Sequence, residues 1–146
     1  MTQLEQTQFA YDTGRFYQTL AQQIGNYLHQ NITNISPREL SILSDDQTRL
    51  ITYSNTFLSL ATTLSFDGSD VYFNSVTNAT AQITEAIDHI QSVNDIITLT
   101  GSVISLAGGI VSQNGGLISG SLVSILKTIQ SMKNAGANPE SGGEQT

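Results

Sequence analysis

The chain has no cysteine and no tryptophan, only two prolines and two histidines, and charge on just 12% of its residues. Without cysteine there is no disulfide framework, no thiolate metal site and no cysteine nucleophile. The charge share is about half that of an ordinary soluble domain. It is also lopsided, with five basic against twelve acidic residues and a net charge of -7. A chain of that sign repels phosphate backbones, so nucleic acid is not an expected partner. Met1 to Gln6 hold neither a basic cluster nor an apolar run, and no secretory signal is read there. The expected location is the cytoplasm as synthesised, with signal-independent export or membrane association left open. On that footing the Asn-x-Ser/Thr patterns at Asn31, Asn34 and Asn78 are chance matches.

Uncharged polarity takes the place of charge: 57 of the 146 residues are Ser, Thr, Asn or Gln. A chain of this length still holds enough apolar residues for one core. The pattern predicts an all-α fold, an antiparallel four-helix bundle with coiled-coil character. One domain is expected over residues 1–133, with helices at about 3–30, 37–66, 69–113 and 117–133. Residues 134–146 lack large apolar side chains and are expected to form a disordered tail.

In the first segment, Phe9, Phe16, Leu20, Ile24 and Tyr27 share one helical face. His29 falls at its C-terminal end, where a cation suits the helix dipole. Tyr11 and Tyr17 flank the stripe and are available to a partner. The second segment opens with Ser36-Pro37-Arg38-Glu39, which places Ser at the N-cap, Pro at the first helical position and Glu at the third. Leu43, Leu50, Phe57 and Leu64 then recur every seven residues. Asp45 and Arg49 are set to pair on its wet face. Asp67-Gly68-Ser69-Asp70 reads as the turn that ends it.

The third segment is the most regular. Val76, Ile83, Ile90, Ile97, Ile104 and Val111 recur every seven residues, and all are β-branched. That repeat predicts one long helix, part of which projects from the bundle. Gln113-Asn114-Gly115-Gly116 reads as a turn. Ile118, Leu122, Ile125, Ile129 and Met132 mark the apolar face of the fourth segment.

One stretch stands apart. From Ile96 to Leu126 there is no charged residue, and 6 of the 31 positions are glycine. Small residues recur at intervals of four on both sides of the turn. They are Gly101, Ser105 and Gly109 on one arm and Gly116, Gly120 and Ser124 on the other. Such spacing lets helix backbones approach closely, in soluble cores and in lipid alike. Each arm is short for a comfortable span.

Sites for chemistry are sparse. Glu85, Asp88 and His89 share a turn, but no Glu-x-x-His pair of the di-iron type occurs. No phosphate-binding Gly-x-x-x-x-Gly-Lys and no Gly-x-Ser-x-Gly elbow is present. Neither catalytic residues, cofactor nor metal is therefore expected, and no small-molecule substrate is evident. An amphipathic bundle carrying an uncharged hairpin resembles α-helical pore-forming toxins in plan, not in sequence. The expected role is a non-enzymatic, self-associating bundle whose hairpin 96–126 engages or enters a membrane. The other role open to it is a soluble structural or adaptor subunit that lays its long third helix on another helical protein.

Overall fold

A computed structural model describes residues 2–59, 61, 73–87, 89 and 92–137, with side chains as far as Lys133. Every secondary-structure element among them is helical. Helix α1 spans Gln3–Asn31, a 3-10 turn follows at Ile32–Asn34, and α2 spans Pro37–Ser59. Then come α3 (Phe73–Ile87), α4 (Val93–Val111) and α5 (Gly115–Ala137).

The two longest early helices start on the same device. The Glu39 amide donates to Ser36 Oγ at 3.1 Å, and the Ser36 amide donates to Glu39 Oε1 at 3.0 Å. Thr2 and Glu5 do likewise at the start of α1, at 3.1 and 2.9 Å. Each box satisfies amides that the first helical turn leaves without carbonyls.

Helices α1 and α2 form the most extensive packing in the molecule. Gln47 Nε2 donates to the Ala21 carbonyl at 3.0 Å, and the Ser54 hydroxyl donates to the Gly14 carbonyl at 2.8 Å. The partner numbers fall as the others rise, so the pair is antiparallel. Gly14 makes the approach possible, because a Cβ there would stand 2.8 Å from Leu58 Cγ and 3.2 Å from Phe57 Cβ. That closeness widens the buried arc of α1 and carries Tyr17 into it. Tyr17 is therefore core and not a flanking contact residue. Its ring stacks on Phe57 at 5.7 Å, and its hydroxyl donates to the Val103 carbonyl of α4 at 2.8 Å. Tyr11 stays exposed, with the Arg15 guanidinium 5.7 Å from its ring centre. On α2, Asp45 and Arg49 are both exposed, while the neighbouring Asp46 is buried.

The single helix expected over 69–113 is two helices, so the described residues hold five α-helices and not four. α3 closes on a tightened turn in which the His89 amide donates to the Ala86 carbonyl at 2.9 Å. Ser92 then takes an extended conformation (φ -108°, ψ 128°) as the N-cap of α4, with Asp95 in the first turn beside the positive end of the dipole. The break lets the two halves turn independently. α3 buries Val76, Ala79, Ile83, Ala86 and Ile87, facing α5 and α1. α4 buries Ile96, Leu99, Thr100, Val103, Leu106, Ala107 and Ile110, a face centred one residue ahead of the sevenfold series. Ile97, Ile104 and Val111 are half-buried on its flank. Among the described residues both halves are packed against neighbours, and neither α3 nor α4 projects as a free rod.

Other boundaries also moved. α5 begins at Gly115, two residues earlier than expected, and reaches Ala137, so residues 134–137 are helical rather than tail. Residues 138–146, the expected turn at 67–70, the last turn of the expected second helix, and Asp88 and Ile90 lie outside the described residues.

Candidate functional site

Helices α4 and α5 form the second hairpin, packed more extensively than any pair but α1 and α2. Its turn is built from backbone bonds. The Gln113 amide donates to the Ile110 carbonyl at 3.1 Å and the Asn114 amide to the Gly109 carbonyl at 2.9 Å. Gln113 has φ 55°, the left-handed conformation that this helix ending requires and that glycine fills more cheaply. The Asn114 side chain then accepts from the Leu117 amide at 3.0 Å and caps α5.

Two contacts set the closeness of the arms. A Cβ on Gly109 would stand 3.1 Å from both the backbone nitrogen and Cγ1 of Ile118. Further along, the hydroxyls of Ser102 and Ser124 are 2.8 Å apart. The small residues singled out by spacing thus divide. Gly109 and Ser124 lie in the interface between the arms. Gly101, Ser105, Gly116 and Gly120 are exposed, and a Cβ added at Gly101 or Gly120 would meet nothing within 4 Å. Of the sevenfold residues, Val76 and Ile83 line the α3 core, and Ile97, Ile104 and Val111 flank α4.

From the turn as far as Lys127, the outward surface of the hairpin is uncharged and partly apolar. Gly101 and Ser105 on α4 and Gly116 and Gly120 on α5 share it with Leu117, Val123 and Leu126, and Val123 is 56% exposed. The charged residues of the two helices, Asp95, Lys127 and Lys133, all lie beyond the Ser102–Ser124 contact, at the end away from the turn. The hairpin therefore has a neutral tip and a charged base. Spacing alone had not separated inner from outer small residues, because small size serves both.

The inner surface is tied to α1 by one hydrogen bond and approached closely by α2. Besides the Tyr17 bond to Val103, a Cβ on Gly108 would stand 3.3 Å from the Tyr53 hydroxyl. Thr100, wholly buried beside them in sequence, has a hydroxyl with no hydrogen-bond partner. Burial raises the Tyr17 phenol well above its ordinary range, so it stays a neutral donor. Burial also raises the Asp46 carboxyl, an effect that the Arg49 guanidinium opposes and Asp45 reinforces.

Elsewhere, Glu85 and His89 are exposed, and no group of three or more His, Asp or Glu able to hold a metal occurs among the described residues. A groove of about 210 Å³ lies between α1 and α3, floored by Phe9 and Phe73, whose rings are 4.9 Å apart. Of its rim carboxylates, Glu5 serves the cap and Asp12 accepts from Gln8 at 2.8 Å.

Comparison of the chain with known family models, with curated proteins and with solved structures returned no match. Geometry is thus the whole basis for assigning a role. Among the described residues one helix, α4, is long and apolar enough to cross a membrane by length and composition, and it lies far from the N-terminus.

Proposed function

We propose that this chain is a non-enzymatic, self-associating helical protein whose α4–α5 hairpin engages a lipid membrane. One observation carries the reading. Val93–Val111 is a 19-residue helix, long and apolar enough by length and composition to cross a membrane, and its single charge is Asp95 at its start. A core helix of a soluble bundle ordinarily buries its apolar face and shows charge outside. α4 does bury its apolar face, but its outside is Asn94, Thr98, Gly101 and Ser105 in place of charge, continued on α5 by Leu117, Val123 and Leu126. Such a surface enters an apolar phase at little ionic cost. The small-residue stripes would serve close helix pairing there.

The test uses zwitterionic vesicles at neutral and acidic pH. The parent chain is expected to co-sediment with them, more at acidic pH, where the net negative charge of the chain falls and with it the ionic cost of entry. Val123→Asp places a charge on the exposed face and spares the core, so it is expected to keep its helical circular dichroism and lose the vesicles. Equal sedimentation of parent and variant, or none at either pH, defeats the membrane reading.

A second reading is favoured by the Tyr17–Val103 bond, which ties α4 to the first hairpin through a buried donor. Under it, the hairpin is a permanent part of a soluble structural or adaptor subunit, and its neutral face meets another helical protein or a second copy. Light scattering above monomer mass, with no response to vesicles, is the outcome expected of that reading.

A further inference from the structure

We propose that the hairpin tip is a self-modifying site: Asn114 converts to aspartate and isoaspartate through attack by the Gly115 amide nitrogen. Of the ten asparagines in the chain, Asn114 alone is followed by glycine. A side chain on the following residue shields its amide nitrogen, and glycine offers no such shield. Three structural facts add to this. Asn114 is exposed, at the turn between α4 and α5. Gly115 is the first residue of α5, so no carbonyl of that helix is placed to hold its N–H. The cap bond from the Leu117 amide falls on Asn114 Oδ1, at 3.0 Å. It draws electron density from Cγ and leaves the amide nitrogen out of the cap.

In the first step, a bond forms between the Gly115 nitrogen and Asn114 Cγ. The Cγ–Nδ2 bond breaks, and Nδ2 departs as ammonia with the proton that Gly115 gives up. The product is a five-membered cyclic imide. Water then opens it at either carbonyl. Cleavage at Cγ yields ordinary aspartate, and cleavage at the main-chain carbonyl yields isoaspartate, with the chain rerouted through the side chain. Both products carry a carboxylate, the first charge within the run from Ile96 to Leu126. They differ in what they do to the fold. An aspartate still accepts from Leu117 and places its charge at the positive end of α5. Isoaspartate adds a methylene to the backbone between Asn114 Cα and Gly115, which displaces the start of α5 from the group that caps it.

The site does not depend on the membrane reading, and its test involves no lipid. The folded full-length chain is held in mildly alkaline buffer, and the amide-to-acid mass gain at each asparagine is followed by peptide mass spectrometry. Isoaspartate is scored by enzymatic methylation of its carboxylate. Asn114 is expected to convert ahead of all other asparagines, giving both products. Gly115→Ala, a good helix former at the first position, is expected to slow it to the rate of the rest. Conversion at Asn114 no faster than at Asn55 or Asn94, or an unchanged rate in Gly115→Ala, would overturn the assignment.

Discussion

At the scale of single residues, two buried polar groups weaken the fold in ways that can be measured. The Thr100 hydroxyl is fully buried without a partner. A stranded group of this kind costs on the order of 1–3 kcal/mol. Thr100→Val keeps the shape and removes the hydroxyl, so it is expected to raise stability by about 1 kcal/mol in denaturant titration. Asp46 is the other case. Its carboxyl is raised by burial, so its protonated form is favoured in the folded state more than in the unfolded one. Its contribution is most favourable below the unfolded value and is lost as pH rises through the folded one. Asp46→Asn is therefore expected to melt higher than the parent at neutral pH, and the gap should close on acidification. Glu5 runs the opposite way: its cap bonds to Thr2 lower its carboxyl, and that stability is lost in acid.

At the scale of helices, the glycines of the second hairpin separate by what surrounds them. Gly101 and Gly120 face open space, while Gly109 faces the backbone of Ile118. In a helix interior Ala is better than Gly by roughly 1 kcal/mol. Gly101→Ala and Gly120→Ala are expected to gain about that much. Gly109→Ala should lose stability on balance, because forced overpacking costs about 1–3 kcal/mol. Thermal melts of the three variants check the order. Some of this level was legible beforehand. Ser36-Pro37-Arg38-Glu39 announced α2 because a cap is a contact among near neighbours. The turn at Gln113–Gly116 was legible for the same reason, although Asn114 as cap moved the start of α5 to Gly115. The break before α4 was missed. Ile83, Ile90 and Ile97 keep their interval across it, and an interval records spacing, not continuity. The available signal was Ser92-x-x-Asp95, an N-terminal signature like the ones at Thr2 and Ser36. Which small residues face inward was beyond local reading, since it depends on how α2, α4 and α5 meet.

At the scale of the whole molecule, two hairpins and the helix α3 are assembled from a chain whose net charge is -7. Copies of it repel one another at long range, and the neutral face of α4 and α5 is where they would meet with least opposition. Association is therefore expected to strengthen with salt, since the Debye length falls from about 10 Å at 0.1 M to about 3 Å at 1 M. Sedimentation velocity across that range checks it, and association that weakens with salt would point to ion pairs instead.

Under the proposed membrane role, the position of the first charge also sets how deep the second hairpin would go. α4 has 19 residues, or about 28 Å of helix at roughly 1.5 Å each, close to the thickness of a hydrocarbon layer of about 30 Å. The other arm has only twelve residues from Gly115 to Leu126 before Lys127, or about 18 Å. Entering tip first, the lysine reaches the headgroups when the shorter arm is a little past the midplane. The two arms would then wedge open the near leaflet and favour strongly curved vesicles over flat ones, with Lys127 as the depth stop.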